Sequence, residues 1–400
     1  MASKTLTVFF DDGSLCPQLI GRCDERNNRL FFTHNGLDQN SDRKFNPARS
    51  PIATTLICDS LPDSWGRKVF NALLSARARR DERPFSSVDD FALLSNLCDS
   101  DRMGALRFAD ANKPHEYLGL RRFSAPQEHD IAELNDTARS IERSDLLSAA
   151  RMERFAENAA CLGGSRPKVG FVDSDGRLCI AKLPSENDDR DKAAWEYCLV
   201  ELAKNCGIRT PTCRLLDVND PRGRIFVSVR FDRTPQGRRR HFLSARALLG
   251  ASDNRELRCY KDLVSLIKTI CDDPQSEIEE LWRRTVFKCL VHDGDDHLRN
   301  QGFLLTEHGW RLSPAFDLNA SCSQTRFTLC YATTRRELNL ESLMQSVGDD
   351  WSISESRAEC IVQEVSQSIR QWQETAASLG IREQEIEHMR LAFAANQLEF

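Results

Sequence analysis

The stretch "LVHDGDDHLRNQGFLL", residues 290–305, places three aspartates and two histidines within six residues. An arginine and an asparagine follow, and the chain then turns apolar. Directly before it, "TVFKCLV" (285–291) is almost wholly apolar. So much negative charge at one point has three readings: a solvated loop, a transition-metal site, or a magnesium-phosphate site. Carboxylates set side by side repel one another, and a divalent cation removes that cost.

Composition narrows the field. At 400 residues with 40% hydrophobic content, the chain can bury a sizeable core and suits two or three domains. No apolar run approaches the roughly 20 residues that span a bilayer. The start "MASKTLTVFFDDGS" lacks the layout of a signal peptide. The 15 cysteines form no CxxC and pair with no histidines at zinc spacing, so they read as buried apolar thiols of a cytoplasmic protein. A net charge of −5 argues against strong nucleic-acid binding by this chain alone. The basic clusters "SARARRDER" (75–83) and "QGRRRH" (236–241) read as solvated faces, with phosphate contact the other reading of each.

Working outward, "SEIEELWRRTVFKCLVH" (276–292) predicts a helix with the stripe Ile278, Leu281, Trp282, Val286, Phe287 and Leu290. Beyond the acidic stretch, "GFLLTEHGWRLSPAFDLN" (302–319) predicts a hairpin ending near Asp317. Upstream, "CLGGSRPKVGFV" and "RLCIAKLPS" read as a glycine-rich turn and two strands joined by "DSDG". "DDRDKAAWEYCLVELAKNCG" (188–207) reads as a helix with Gly207 as its stop, and "RIFVSVRFDR" (224–233) as an apolar strand. Near the start, "TLTVFF" (5–10) and "RLFFT" (29–33) predict strands separated by turn-forming residues. "ICDSLPDSWGRKVFNALLSARAR" predicts a turn and a helix starting at Pro62 and Asp63, "SSVDDFALLSNL" (86–97) a capped helix, and "DRMGALRF" (101–108) a return strand. A polar helical connector is expected over 125–156. The tail from 351 is expected to be helical, with Ala358, Ile361 or Val362, Val365, Ile369 and Trp372 on one face. The implied division is 1–125, 126–235 and 236–400.

The order of the parts carries the chemistry. A glycine turn is followed by a strand lysine, Lys182, then a helix glutamate, Glu196, then Asp295-x-x-x-x-Asn300, a hairpin and Asp317. Protein kinases use a strand lysine, a helix glutamate, Asp-x4-Asn and a downstream metal-binding aspartate in this order. Phosphoryl transfer asks for positioning and charge neutralisation rather than covalent chemistry. Asp295 is placed to accept a hydroxyl proton, Asn300 and Asp317 offer oxygen ligands to Mg²⁺, and Lys182, braced by Glu196, offers a point charge. Gly163 and Gly164 permit close backbone approach to phosphate oxygens. Each element alone has a plain reading: surface lysine, helix-surface glutamate, ordinary turn. A metal phosphohydrolase using His292 and His297 with the aspartates is the competing chemistry. His297 is otherwise a residue that braces the loop.

At these residues the chain resembles the HipA family of serine/threonine protein kinases, toxins of bacterial type II toxin–antitoxin modules. "DSLPDSWGRKV" and "DRMGALRF" resemble the family's N-terminal subdomain; "GGSRPKVGF", "IAKLPS", "WEYCLVELAKNCGI", "VRFDR", "DGDDHLRNQGF" and "WRLSPAFDLN" are similar to its kinase core. The resemblance implies an α/β (α+β) protein-kinase-like two-lobed fold, with an N-terminal strand-and-helix subdomain, a nucleotide lobe and a mainly helical C-terminal lobe. It implies ATP and Mg²⁺ as cofactors, with Asp295 as general base and Asn300 and Asp317 on the metal. It puts Lys182 and the loop Gly163, Gly164, Ser165 to Lys168 on the ATP phosphates. Val229, Arg230 and Phe231 become the adenine hinge, Asp232 lies near the ribose, and His297, Arg299 and Phe316 line the cleft. It further implies an aminoacyl-tRNA synthetase as target, growth arrest and persistence as the outcome, and a HipB-like helix-turn-helix antitoxin through which operator DNA is reached. One departure stands out. The loop serine that some members phosphorylate to inactivate themselves falls on Cys161, leaving Ser165 as the candidate within the loop. A silent scaffold that only docks an antitoxin is the rival from another class.

Overall fold

The computed structural model describes residues 4–13, 16–26, 29–34, 53–85, 88–114, 116–250, 258–331, 335–348 and 350–394. They divide into two compact units: 1–189 with 216–243, and 190–215 with 244–400. The divisions expected near 125 and 235 both fall inside the first unit.

In the first unit, β1 (Thr5–Phe10), β2 (Gln18–Arg26), β3 (Arg29–His34) and β4 (Leu106–Asp110) form an antiparallel sheet in the order β3-β2-β1-β4. The strand β2 is a correction to the sequence reading, which had turn-forming residues there. Its "QLIGRCDER" is polar on alternate positions, and only Ile20, Gly21 and Cys23 are buried. Pairing on both sides supplies what composition does not. β4 is the expected return strand and pairs with β1.

Helix α1 (Ser64–Arg80) begins at the N-cap Asp63, as "PDSWG" suggests, and buries Trp65, Val69, Phe70 and Leu73. Helix α2 (Asp90–Asn96) is capped by Asp89, whose side chain accepts from Ala92 N at 2.7 Å. The first residues of the segment expected to form it, 86 and 87, lie outside the described residues. The expected polar connector is two helices, α3 (Ile131–Glu142) and α4 (Ala149–Ala159). They contribute Ile131, Ile141, Met152 and Phe155 to one core with Trp65 and Phe70 of α1. That core also takes Val169, Phe171, Ala181 and Val227 from the strands β5 (Lys168–Val172), β6 (Leu178–Lys182) and β8 (Ile225–Val229). Sparse apolar residues at helical spacing were enough to bury both helices, so the N-terminal segment and the glycine-loop sheet share one interior. The remaining strands of the two sheets are β7 (Cys213–Leu216) and β9 (Phe242–Ser244).

The second unit is mainly helical: α5 (Lys192–Asn205), α6 (Ala245–Leu248), α7 (Tyr260–Ile270), α8 (Pro274–Leu290), α9 (Leu340–Met344), α10 (Glu355–Ile369), α11 (Trp372–Ser378) and α12 (Glu383–Ala394). The hairpin β10 (Gly302–Thr306) and β11 (Gly309–Leu312) matches the sequence reading. All six residues of the expected α8 stripe are buried, and so are Glu277, Glu280, Arg284 and Lys288 on its other faces. Trp351 locks the helix pair: it stacks on Tyr260 at 5.1 Å and meets Trp282 edge-on at 4.7 Å. Ala358, Ile361, Val362, Val365, Ile369 and Trp372 are all buried, as the tail pattern predicts. Helix α5 belongs here because Trp195 donates to Glu385 at 3.1 Å and packs near Trp372. Among the described residues no helix is long and apolar enough to cross a membrane.

Candidate functional site

In the first unit the candidate residues gather around the glycine turn. Strand pairing sets Lys168 of β5 directly opposite Lys182 of β6, on one face of the sheet. Like charges opposite each other are destabilising, so the pair makes physical sense where an anion is received. Lys168 Nζ donates to the Gly163 carbonyl at 2.5 Å, and Lys182 Nζ lies 5.7 Å from the centre of the Phe226 ring. Gly164 has φ +83°, and a Cβ there would run into the Lys168 ammonium. The ammonium ends a flexible side chain and can move aside, so it is the left-handed backbone, which glycine adopts without strain, that favours glycine there. Ser165 is exposed, whereas Cys161 is buried and its thiol donates to the Cys98 carbonyl at 3.2 Å. Burial pushes the Cys161 thiol well above its usual range.

The segment 229–232 corrects an expectation. Asp232 was expected near a ribose, but its carboxylate is 1% exposed and turned inward. It pairs with Arg230 and Arg233 at 2.6 Å each and accepts from Gly104 N at 2.8 Å. Arg230 in turn donates to the carbonyls of Asp101 and Arg102 at 2.7 and 3.2 Å. Although burial works against it, the two guanidiniums hold the Asp232 carboxyl well below the ordinary carboxylate range. These side chains fasten the "DRMG" turn to β8. Val229 and Phe231 are only half-buried, and Phe231 packs on Phe242 at 5.8 Å.

In the second unit the acidic stretch resolves into opposite roles. Asp293 and Asp296 are fully buried, and Asp295 alone of the three is exposed. Lys288, in the last turn of α8, sits 2.7 Å from Asp296 and 3.8 Å from Asp293. Asp296 also accepts from the Tyr260 hydroxyl and, at 2.6 Å, from Gln301 Nε2. Burial pushes Asp293 up to about 7, with Lys288 opposing the rise. Burial would lower Lys288; Asp296 and Asp293 outweigh it and hold the ammonium charged.

The same buried cluster joins the two loops. Asp293 accepts from Asn319 N at 3.3 Å, and His292 O accepts from Ser321 N at 3.1 Å. Arg284 of α8 donates to Ser313 O at 2.7 Å. α8 thus grips both the Asp295 loop and the segment that carries Asp317. Asn300 Nδ2 donates to the Asp295 carbonyl at 2.9 Å, which leaves its side-chain oxygen as the group able to meet a cation. Asp317 is held at φ +58°, a left-handed conformation uncommon for a non-glycine residue. His297, Arg299 and Phe316 are half-buried on the same two loops, and Glu196 is half-buried on α5. Lys182 belongs to the first unit; Glu196, Asp295, Asn300 and Asp317 belong to the second.

Sequence reasoning missed Lys288, Asp293 and Asp296 as braces and Asp63 as a partner of the glycine loop. A lysine in the apolar run just before three aspartates was the available signal. Gly294 is also tightly built in: a Cβ there would meet the Arg326 carbonyl, and Gly294 N donates to Gln324 Oε1 at 2.9 Å. Gly294→Ala is expected to cost about 1–3 kcal/mol by overpacking, read as a lowered urea midpoint with a displaced Asp295 loop. A wild-type midpoint would remove the steric argument.

Among the described residues no three His, Cys, Asp or Glu side chains are grouped as a ready metal site. The oxygen donors of Asn300 and Asp317 suit a hard cation that takes its other ligands from phosphate and water.

A sheet bearing a glycine turn and opposed lysines, with a helical unit bearing an Asp-x4-Asn loop and a downstream aspartate, makes up a protein-kinase-like fold. Residues 160–373 match the HipA-like C-terminal domain family, and the chain belongs to that family. The HipA chain from the Shewanella oneidensis MR-1 complex of HipA, HipB and operator DNA shares the fold. Its TM-score is 0.67 at 16% identity, over 97% of this chain and 96% of that one. The Helicobacter pylori proinflammatory kinase CtkA gives a TM-score of 0.41 at 12% identity over 57% of this chain and 93% of its own, too low to carry weight. Y4dM of Sinorhizobium fredii (strain NBRC 101917 / NGR234), named as an inferred kinase, is 27% identical over 159 residues, 37% of this chain. That match spans 38% of the relative's length.

Proposed function

We propose that the protein is an ATP- and Mg²⁺-dependent kinase that phosphorylates serine or threonine of a protein target. The carrying observation is the division of labour in the acidic stretch: two buried aspartates clamped on Lys288 hold a third, Asp295, out in solvent. In this reading Asp295 accepts the proton of the incoming hydroxyl. Asn300 and Asp317 hold Mg²⁺ by their side-chain oxygens. Lys168 and Lys182 neutralise phosphate charge, aided by the backbone of Gly163, Ser165 and their neighbours. Bound ATP supplies the phosphoryl group; the chain supplies orientation and charge. Val229 to Phe231 offers backbone to the adenine, with Arg230 and Asp232 bracing that backbone from within. His297, Arg299 and Phe316 complete the lining.

The family supports a toxin reading, with a HipB-like antitoxin as partner and an aminoacyl-tRNA synthetase as the target class. Ser165 is the exposed loop serine whose phosphorylation would place a dianion where ATP phosphate binds. The test is calorimetry with Mg-ATP, followed by phosphoproteomics after brief induction of wild type and Asp317→Ala. Magnesium-linked ATP uptake and new phosphosites confined to wild type are expected. Folded protein that takes up no ATP would end the proposal.

A further inference from the structure

Asp63 stands at the N-cap of α1, where an aspartate ordinarily accepts from its own helix. It makes no such bond. Its Oδ2 instead accepts from Gly164 N at 3.0 Å, across 101 residues of chain. Two residues on, Trp65 N donates to Gly164 O at 3.2 Å, and Trp65 Nε1 donates to Lys168 O at 3.0 Å. Both backbone polar groups of Gly164 and the carbonyl of Lys168 are therefore held by residues 63–65. The anchor itself is firm: Trp65 is 2% exposed and meets Phe155 edge-on at 6.4 Å. On the other side, Arg166 forms a two-pronged pair with Asp188 at 2.6 and 2.7 Å. The loop that would receive phosphate is thus set in shape by a segment that begins 101 residues before Gly164.

A loop already fixed in its binding shape loses less freedom when a ligand arrives, so its affinity is higher for the same contacts. We propose that Asp63 and Trp65 are positioning residues that staple the glycine loop and set nucleotide affinity through it, an inference that rests on the kinase reading above. The hydrogen-bond pattern separates this from a merely structural role. Trp65→Phe keeps an aromatic ring in the core and removes the donor to Lys168 O, together with part of the buried indole's volume. Asp63→Asn keeps an acceptor for Gly164 N, whereas Asp63→Ala removes it.

The experiment titrates the full chain with a fluorescent Mg-ATP analogue and follows amide hydrogen exchange across 160–170 without nucleotide. For Asp63→Ala we expect about tenfold weaker binding, with turnover at saturating ATP unchanged, and faster exchange at Gly164. Asp63→Asn should recover most of the affinity, and Trp65→Phe should weaken binding several-fold. Equal affinity and equal exchange in Asp63→Ala and wild type would overturn the staple. If Asp63→Ala proves unfolded, Trp65→Phe with wild-type affinity would overturn it in its place. Wild type that binds no nucleotide would defeat the kinase reading instead, and exchange at Gly164 would still decide the staple.

Discussion

Replacing Asp295 with asparagine is expected to cut phosphoryl transfer by about 10²–10⁴-fold, the range that a positioned general base supplies. The substitution keeps size and hydrogen-bonding capacity while removing the proton acceptor. Asp295 is exposed and makes no contribution to the Lys288 cluster, so stability should move by no more than about 0.5 kcal/mol. Transfer from labelled ATP, with the urea midpoint measured in parallel, separates the two effects. Full activity in a folded Asp295→Asn protein would remove the base assignment, and a lost fold would show that the aspartate braces the loop.

The second large effect is expected at Lys288. Lys288→Met keeps the length and the packing of the stem but leaves Asp296 and Asp293, both fully buried, without their cation. Stranding buried charge in this way costs about 3–5 kcal/mol. The sign of its pH dependence follows from Asp293. Its folded-state pKa is raised to about 7, above the ordinary value near 4. The folded state therefore binds more protons between those values, and stability from this group is present below the ordinary value and lost as pH rises through 7. Without Lys288, which opposes the rise, the Asp293 carboxyl takes up its proton still more readily, so the deficit should shrink as pH falls. Urea melts of wild type and Lys288→Met at pH 5.5 and 8 test this. A deficit that is equal at both pH values would mean that the carboxyls are not buried as a charged pair.

How far the site was legible depended on which side of the backbone mattered. The Asp295-x4-Asn300 spacing, the hairpin after it and the strand bearing Lys182 were all readable, because each is a local pattern. Which of the three aspartates faces solvent was not readable. Asp293 and Asp295 are two apart, and the loop with His292 at φ +55° obeys no fixed period. Asp232 illustrates the same limit. An aspartate after an apolar strand looks available, and only Arg230, Arg233 and Gly104 closing round it turn it inward. Polar composition obscured strand β2 and the burial, though not the helicity, of α3 and α4. Their burial comes from neighbours distant in sequence, β1 and β3 for the strand and the shared core for the helices.

The amino-acid order by itself determined most of the parts list: the α8 stripe, the hairpin after the acidic stretch, the strand bearing Lys182, and the residue types on which the proposed kinase reading rests. It could do so because periodicity, capping and motif spacing are short-range properties of the chain. Tertiary structure alone decided that Lys288 divides the acidic stretch into buried braces and one exposed carboxylate, and that Asp63 serves a distant glycine rather than its own helix. Those choices turn on burial and on which donor reaches which acceptor across eight residues in one case and 101 in the other. Such long-range pairings follow from packing the whole chain.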